Sequence, residues 1–164
     1  MKYRILRDNE LRDLEPQLKH FLIVNGVHDD EWKRINSEDP DKAIELVQIF
    51  SDNMLQRFYE SIEYLEKRTA DRCFLFRCQQ EKIEMITFSL ANKDAFDITN
   101  TDEFQQALAD PENFDDYVQG QKVYTVGREQ EIHAMMEQGH RPIKGDLWEF
   151  FSTNLKKTQN DSIT

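Results

Sequence analysis

The spacing of apolar residues predicts that the chain begins with helices. Four apolar residues recur three or four positions apart, namely Leu11, Leu14, Leu18 and Phe21. This spacing places them on one face of an α-helix. Pro16 lies inside the run, so a helix here must begin close to the proline or kink at it. Asn25-Gly26 then predicts the end of this helical segment.

A second apolar run predicts one long central helix. Asp39-Pro40 places a capping carboxylate before a proline at the first helical position, which is a strong start signal. Helical spacing continues to about Arg68 through Ile44, Val47, Phe50, Leu55, Phe58, Ile62 and Leu65. At 1.5 Å per residue such a helix would be about 43 Å long. Residues 51–53 are the only place in it where we expect a break.

The middle of the chain has the composition of β-strands. Residues 73–78 and 83–90 are rich in strand formers, and the four polar residues 79–82 between them suit a hairpin turn. An isolated hairpin is only marginally stable. We therefore expect a third strand near 122–126 to complete a small antiparallel sheet.

Two more amphipathic patterns predict C-terminal helices, over 127–138 and over 145–155. Gly139 follows the first pattern and suits a helix C-cap. Together the patterns predict an α+β fold, with the long central helix and the C-terminal helices packed on the small antiparallel sheet. We expect a single domain over 1–155, followed by a frayed polar tail over 156–164.

Composition narrows the class of protein. The apolar fraction is low, at 38%, but eleven Phe, five Tyr and two Trp supply material for a core. No apolar run approaches the roughly 20 residues that span a bilayer, and we expect no signal peptide. Cys73 and Cys78, five positions apart on one strand, would point to opposite faces, which disfavours a disulfide. We therefore predict a cytoplasmic protein with reduced thiols.

The net charge of −11 is concentrated in two regions. Residues 28–72 carry −5 and residues 93–120 carry −7, whereas the other segments carry +1 or zero. The second region contains the acidic stretch, from Asp94 to Asp116, which has no Lys or Arg. Its eight acids are Asp94, Asp97, Asp102, Glu103, Asp110, Glu112, Asp115 and Asp116.

The acidic stretch excludes some partners and admits others. Clustered acid argues against nucleic acid and against an anionic membrane as partners. Three interpretations stay open: a solvated loop, a docking surface for a basic partner, and a calcium site, although the spacing lacks the EF-hand pattern. We predict a non-catalytic interaction or accessory protein that binds a basic protein through these acids. The oligomeric state is left open.

Candidate catalytic chemistry is sparse. The chain lacks a phosphate-binding glycine loop, a GxSxG motif, an HExxH motif and paired CxxC motifs, and we predict no cofactor. Glu129, His133 and Glu137 share one face of a predicted helix, where they could bind a divalent metal or act in acid–base chemistry. A surface ion-pair ladder is the other interpretation.

Two alternative functions follow from these features. One is a metal-dependent, hydrolase-like enzyme with its site around His133. The other is a regulator, because the two C-terminal helices resemble a helix-turn-helix in outline. The predicted second helix carries two acids early and its bases only at the end, which argues against DNA recognition.

Five short stretches of the chain also carry a resemblance. They are Met1-Lys2-Tyr3-Arg4, Phe50-Ser51-Asp52, Tyr64-Leu65-Glu66-Lys67-Arg68, residues 128–139 and Lys144-Gly145-Asp146-Leu147. These stretches resemble a family of small, uncharacterised acidic cytoplasmic proteins from Bacteroidetes-type bacteria, and the resemblance spans about residues 1–155. It implies a bacterial cytoplasmic protein, and it transfers neither an activity nor a catalytic residue.

Overall fold

The computed structural model describes residues 1–161, with side chains described as far as Leu155. The chain separates into two compact units, Met1–Ser61 and a second unit that begins at Ile62. The single domain predicted for 1–155 stays a prediction. Among the described residues, none of the helices has both the length and the apolar character that crossing a bilayer requires.

The first unit is helical. Its four helices within the described residues are α1 (Asp8–Asp13), α2 (Glu15–Val24), α3 (Asp29–Glu38) and α4 (Pro40–Glu60). The helical conformation is interrupted at Leu14, between α1 and α2. Pro16 therefore lies in the first turn of α2, where a proline is tolerated. Gly26 ends this segment with a φ of +76°, a conformation that favours glycine.

The long helix α4 begins as predicted and ends earlier. The Asp39 side chain accepts a hydrogen bond from the N–H of Lys42 at 3.2 Å, and the helix then continues unbroken for 21 residues. The prediction that it reaches Arg68 was wrong. Leu65 fits helical spacing, but residues 64–68 form a strand with a neighbour on each side, and those strand pairings outweigh a local pattern.

The second unit is built on a five-stranded antiparallel sheet. Its strands in the described part of the chain are β1 (Tyr64–Arg68), β2 (Arg72–Cys78), β3 (Lys82–Leu90), β4 (Phe114–Val123) and β5 (Arg141–Ile143). Their spatial order is β4-β3-β2-β1-β5. The helices of this unit are α5 (Thr101–Ala107), α6 (Arg128–Glu137) and α7 (Asp146–Asp161), with a short 3-10 helix at Pro111–Asn113. The predicted α+β class is thus confirmed.

The core of the second unit lies between α7 and one face of the sheet. Phe151 of α7 stacks on Phe88 of β3 with 3.7 Å between ring centroids. Trp148 and Leu155 of α7 lie in the same buried cluster. This packing accounts for the aromatic residues of the last helix. That helix continues to Asp161, so part of the predicted tail has helical backbone, and residues 162–164 lie outside the described residues.

The third strand of the predicted sheet exists but lies earlier in the chain. The prediction placed it near 122–126, with 111–120 as loop, whereas β4 pairs with β3 over residues 114–123. Phe114 is buried at the start of β4, and most later residues of this edge strand are exposed. A largely exposed edge strand has no need of apolar alternation, so its polar composition looks like that of a loop.

Candidate functional site

The acidic stretch spans four kinds of structure in the second unit. Asp94 and Asp97 lie in the loop after β3, and Asp102 and Glu103 lie in the first turn of α5. Asp110 caps the 3-10 helix and Glu112 lies within it, whereas Asp115 and Asp116 lie on β4. The stretch is therefore a folded segment and not one loop, and the interpretation of its acids as a solvated surface without a partner stays open.

Three of the eight acids serve the local fold of this segment. Asp97 accepts hydrogen bonds from the hydroxyl and the main-chain N–H of Thr99, at 2.6 and 3.0 Å, and these bonds lower the pKa of Asp97. Glu103 accepts from the N–H of Asp97 at 2.6 Å. Asp110 accepts from the N–H of Glu112 at 3.0 Å. Such side-chain bonds to nearby N–H groups are typical of turns and helix starts.

A fourth acid, Asp116, is held in an ion pair. It lies at a register shift in the pairing of β3 with β4 and has a φ of +48°. Its carboxylate pairs with the guanidinium of Arg72, and Arg72 also donates to the hydroxyl of Thr87 at 3.1 Å. The charge of Asp116 is thus matched inside the second unit.

The other four acids of the stretch make no such hydrogen bond or ion pair. Asp94, Asp102, Glu112 and Asp115 are exposed, and their side chains make no hydrogen bond or ion pair with the described residues. The nearest base in sequence, Lys93, pairs with Asp71 at 2.8 Å. Half of the acids in the stretch are therefore exposed and make no side-chain bond of this kind with the described residues.

The predicted Glu129–His133–Glu137 group lies on α6 as expected. Glu129 contacts the guanidinium of Arg128 at 3.2 Å. Among the residues whose side chains the structure describes, no group of three or more His, Cys, Asp or Glu could hold a metal ion. The structure therefore gives the metal-dependent enzyme no support. A helix-turn-helix gains none either, because the connection from α6 to α7 contains β5 instead of a short turn.

Both cysteines are buried, free thiols. Burial raises the pKa of Cys73 well above its ordinary value, and the nearby charge of Glu66 adds to this effect. Burial also raises the pKa of Cys78 to about 11. A thiol that stays protonated at neutral pH is a poor nucleophile, so the structure assigns neither residue a catalytic role.

One charged cluster was missed by reasoning from sequence. Glu66, on β1, is buried and contacts two arginines: its Oε1 accepts from Nε of Arg141 at 2.6 Å and from Nη2 of Arg68 at 3.3 Å. Glu66 and Arg68 lie two positions apart, on one face of a strand, and this spacing could have indicated their contact but not the contact with Arg141. That signal was hidden because residues 64–68 were assigned to the long helix.

Comparison with known proteins gives a family and no activity. A family model described as "Family of unknown function (DUF6495)" matches residues 1–156. No curated protein matches the chain, and no solved structure matches it.

Proposed function

The chain belongs to this family of unknown function, and we propose that it is a non-catalytic interaction protein. Its acidic stretch binds a partner with a basic surface. We also propose a bacterial cytoplasm as its setting, on the strength of the sequence resemblance. Neither nucleic acid nor membrane is part of the proposal, since clustered acid repels both.

The observation that carries this proposal is the division of the eight acids. Four are used in hydrogen bonds or an ion pair of the second unit, and Asp94, Asp102, Glu112 and Asp115 are exposed without such contacts. These four carboxylates make no hydrogen bond or ion pair within the described residues, and each adds to the negative potential of the segment. Such a potential accelerates the encounter with a cationic partner and is screened by salt.

The test compares two variants with the same change of charge. The first combines Asp94→Asn, Asp102→Asn, Glu112→Gln and Asp115→Asn. The matched control combines Asp13→Asn, Asp29→Asn, Asp41→Asn and Glu45→Gln, four exposed acids of the first unit. Binding to a ten-residue lysine peptide is measured by titration at low salt and at about 0.15 M salt.

We expect the first variant to lose about tenfold in affinity for the peptide and the control variant to lose clearly less, with both differences shrinking as salt is added. Equal losses in the two variants would mean that binding follows net charge alone. In that case the acidic stretch is not a docking surface, and the proposal is wrong.

A further inference from the structure

A cleft of about 210 Å³ lies in the second unit beside the buried acid Glu66. Its lining residues are Glu66, Lys67, Arg68, Thr99, Gly139 and Arg141. Three of these carry positive charge and one carries negative charge. In a chain of net charge −11, a concave site with excess positive charge is unusual. Some of the hydrogen-bond donors in this cleft make no bond with the described residues.

The two arginines of the cleft do different work. Arg68 is committed to the fold: its side chain is 6% exposed, its Nη1 donates to the carbonyl of Ile98 at 2.8 Å, and its guanidinium lies 4.5 Å from the ring centre of Phe104. The Arg141 side chain is 55% exposed and uses only its Nε, in the bond to Glu66. Its two terminal nitrogens make no hydrogen bond with the described residues.

Glu66 holds Arg141 in place from inside the fold. The Glu66 side chain is 5% exposed, and its Oε1 accepts hydrogen bonds from both arginines. Its Oε2 and the Nε of Arg68 are buried without a hydrogen-bond partner in the described structure. A buried carboxylate that orients a half-exposed guanidinium reduces the entropy that the guanidinium loses when it binds a further group.

The strand register opens the cleft. β5 begins at Arg141, opposite Glu66, whereas β1 continues for two more residues. The N–H of Thr69 donates to the carbonyl of Arg72, and the carbonyl of Glu63 accepts from the N–H of Cys78. In an antiparallel ladder, successive residues of a strand direct their main-chain bonds to opposite neighbours. The N–H of Arg68 therefore points away from β2, to the side where β5 has no residue opposite it. Gly139, with a φ of +91°, turns the chain two residues before the start of β5.

We propose that this cleft binds a small anionic group, a carboxylate or a phosphate, on the terminal nitrogens of Arg141. A planar guanidinium presents two parallel N–H groups that match two oxygens of such an anion. The N–H of Arg68 supplies a further donor at the open strand edge. Lys67, whose Nζ donates to the carbonyl of Gln138 at 3.0 Å, adds positive charge beside the site.

The test uses inorganic phosphate and acetate as probes, each titrated into the full chain at constant ionic strength. We expect saturable binding of one anion per chain for at least one probe, weakened about tenfold or more by Arg141→Gln. Arg77→Gln is the matched control, since Arg77 is another half-exposed arginine of the same unit, 45% exposed at its side chain. We expect it to bind like the wild type.

Glu66→Gln provides a second, independent variant. It keeps the shape of the side chain and an oxygen that accepts from Arg141 but removes the negative charge beside the site, so we expect anion binding in a folded chain at least as tight as in the wild type. Tighter binding of phosphate than of acetate would identify a phosphorylated ligand, and the reverse a carboxylate ligand. Absence of saturable binding by both probes up to about 50 mM, or equal affinity in the wild type and Arg141→Gln, would overturn the proposal. Neither result bears on the acidic stretch.

Discussion

Ser51, in the middle of α4, accepts a hydrogen bond from the main-chain N–H of Leu6 at 3.1 Å. The hydroxyl of Ser51 in turn donates to the carbonyl of Val47 at 2.6 Å, and the side chain is fully buried. A polar residue inside a helix thus fixes the N-terminal segment to α4 within the first unit. The break expected at residues 51–53 is not observed, since α4 is continuous there.

Replacing Ser51 is therefore expected to destabilise the first unit. Ser51→Ala leaves the buried N–H of Leu6 without an acceptor, which costs about 1–3 kcal/mol of unfolding free energy. Ser61→Ala serves as control, because the hydroxyl of Ser61 donates to Phe58 at an exposed position, and we expect a change below about 0.5 kcal/mol. Urea denaturation measures both. Equal midpoints for the two variants would contradict this role of Ser51.

Glu131 makes the stability of the second unit depend on pH. Burial alone would raise its pKa, but Lys122 and the N–H groups of Thr125 and Val126 outweigh burial and lower the pKa from 4.5 to about 2. Because the folded pKa is depressed, the stabilisation is present above about pH 4.5 and is lost as pH falls towards 2.

The lowered pKa of Glu131 determines the expected result of Glu131→Gln. The variant should melt below the wild type at pH 7, and the gap in melting temperature should narrow as pH falls from about 5 to 2. Glu112→Gln, at an exposed acid without side-chain bonds, should melt like the wild type throughout. A gap that stays constant with pH would show that the carboxylate charge is not the cause.

Local patterns predicted the fold where the signal is local. Asp39-Pro40 marked the start of α4, and Gly139 marked the end of α6, because a cap needs only neighbouring residues. The end of α4 was missed because the spacing of Leu65 suits a helix as well as a strand. Only pairing with β2 and β5, which come later in the chain, decides between them.

The candidate site shows the same limit. Composition identified the acidic stretch, but local bonds and the pair between Asp116 and Arg72 determine which acids stay available. The contact between Glu66 and Arg141 joins residues 75 positions apart. No periodicity reports such a contact, so the anion cleft appears only once β5 is placed beside β1.

The buried thiols are expected to be unreactive in the folded chain. Burial raises the pKa of Cys73 well above its ordinary value and that of Cys78 to about 11, so hardly any thiolate exists at pH 8. A thiol-reactive dye should label neither cysteine at pH 8, and it should label both in denaturant. Rapid labelling of the native chain would contradict the burial of the labelled cysteine.

Gly139 is expected to be the less replaceable of two glycines near the sheet. Its φ of +91° is costly for any residue with a Cβ, so Gly139→Ala should lower the unfolding free energy by about 1–2 kcal/mol. Gly120 is the control: a Cβ there would lie 3.7 Å from the methyl carbon of Met85, an ordinary contact. Gly120→Ala should change stability by less than about 1 kcal/mol. Denaturant midpoints that fall equally for both variants would contradict the assignment of strain to Gly139, whose turn places Arg141 opposite Glu66.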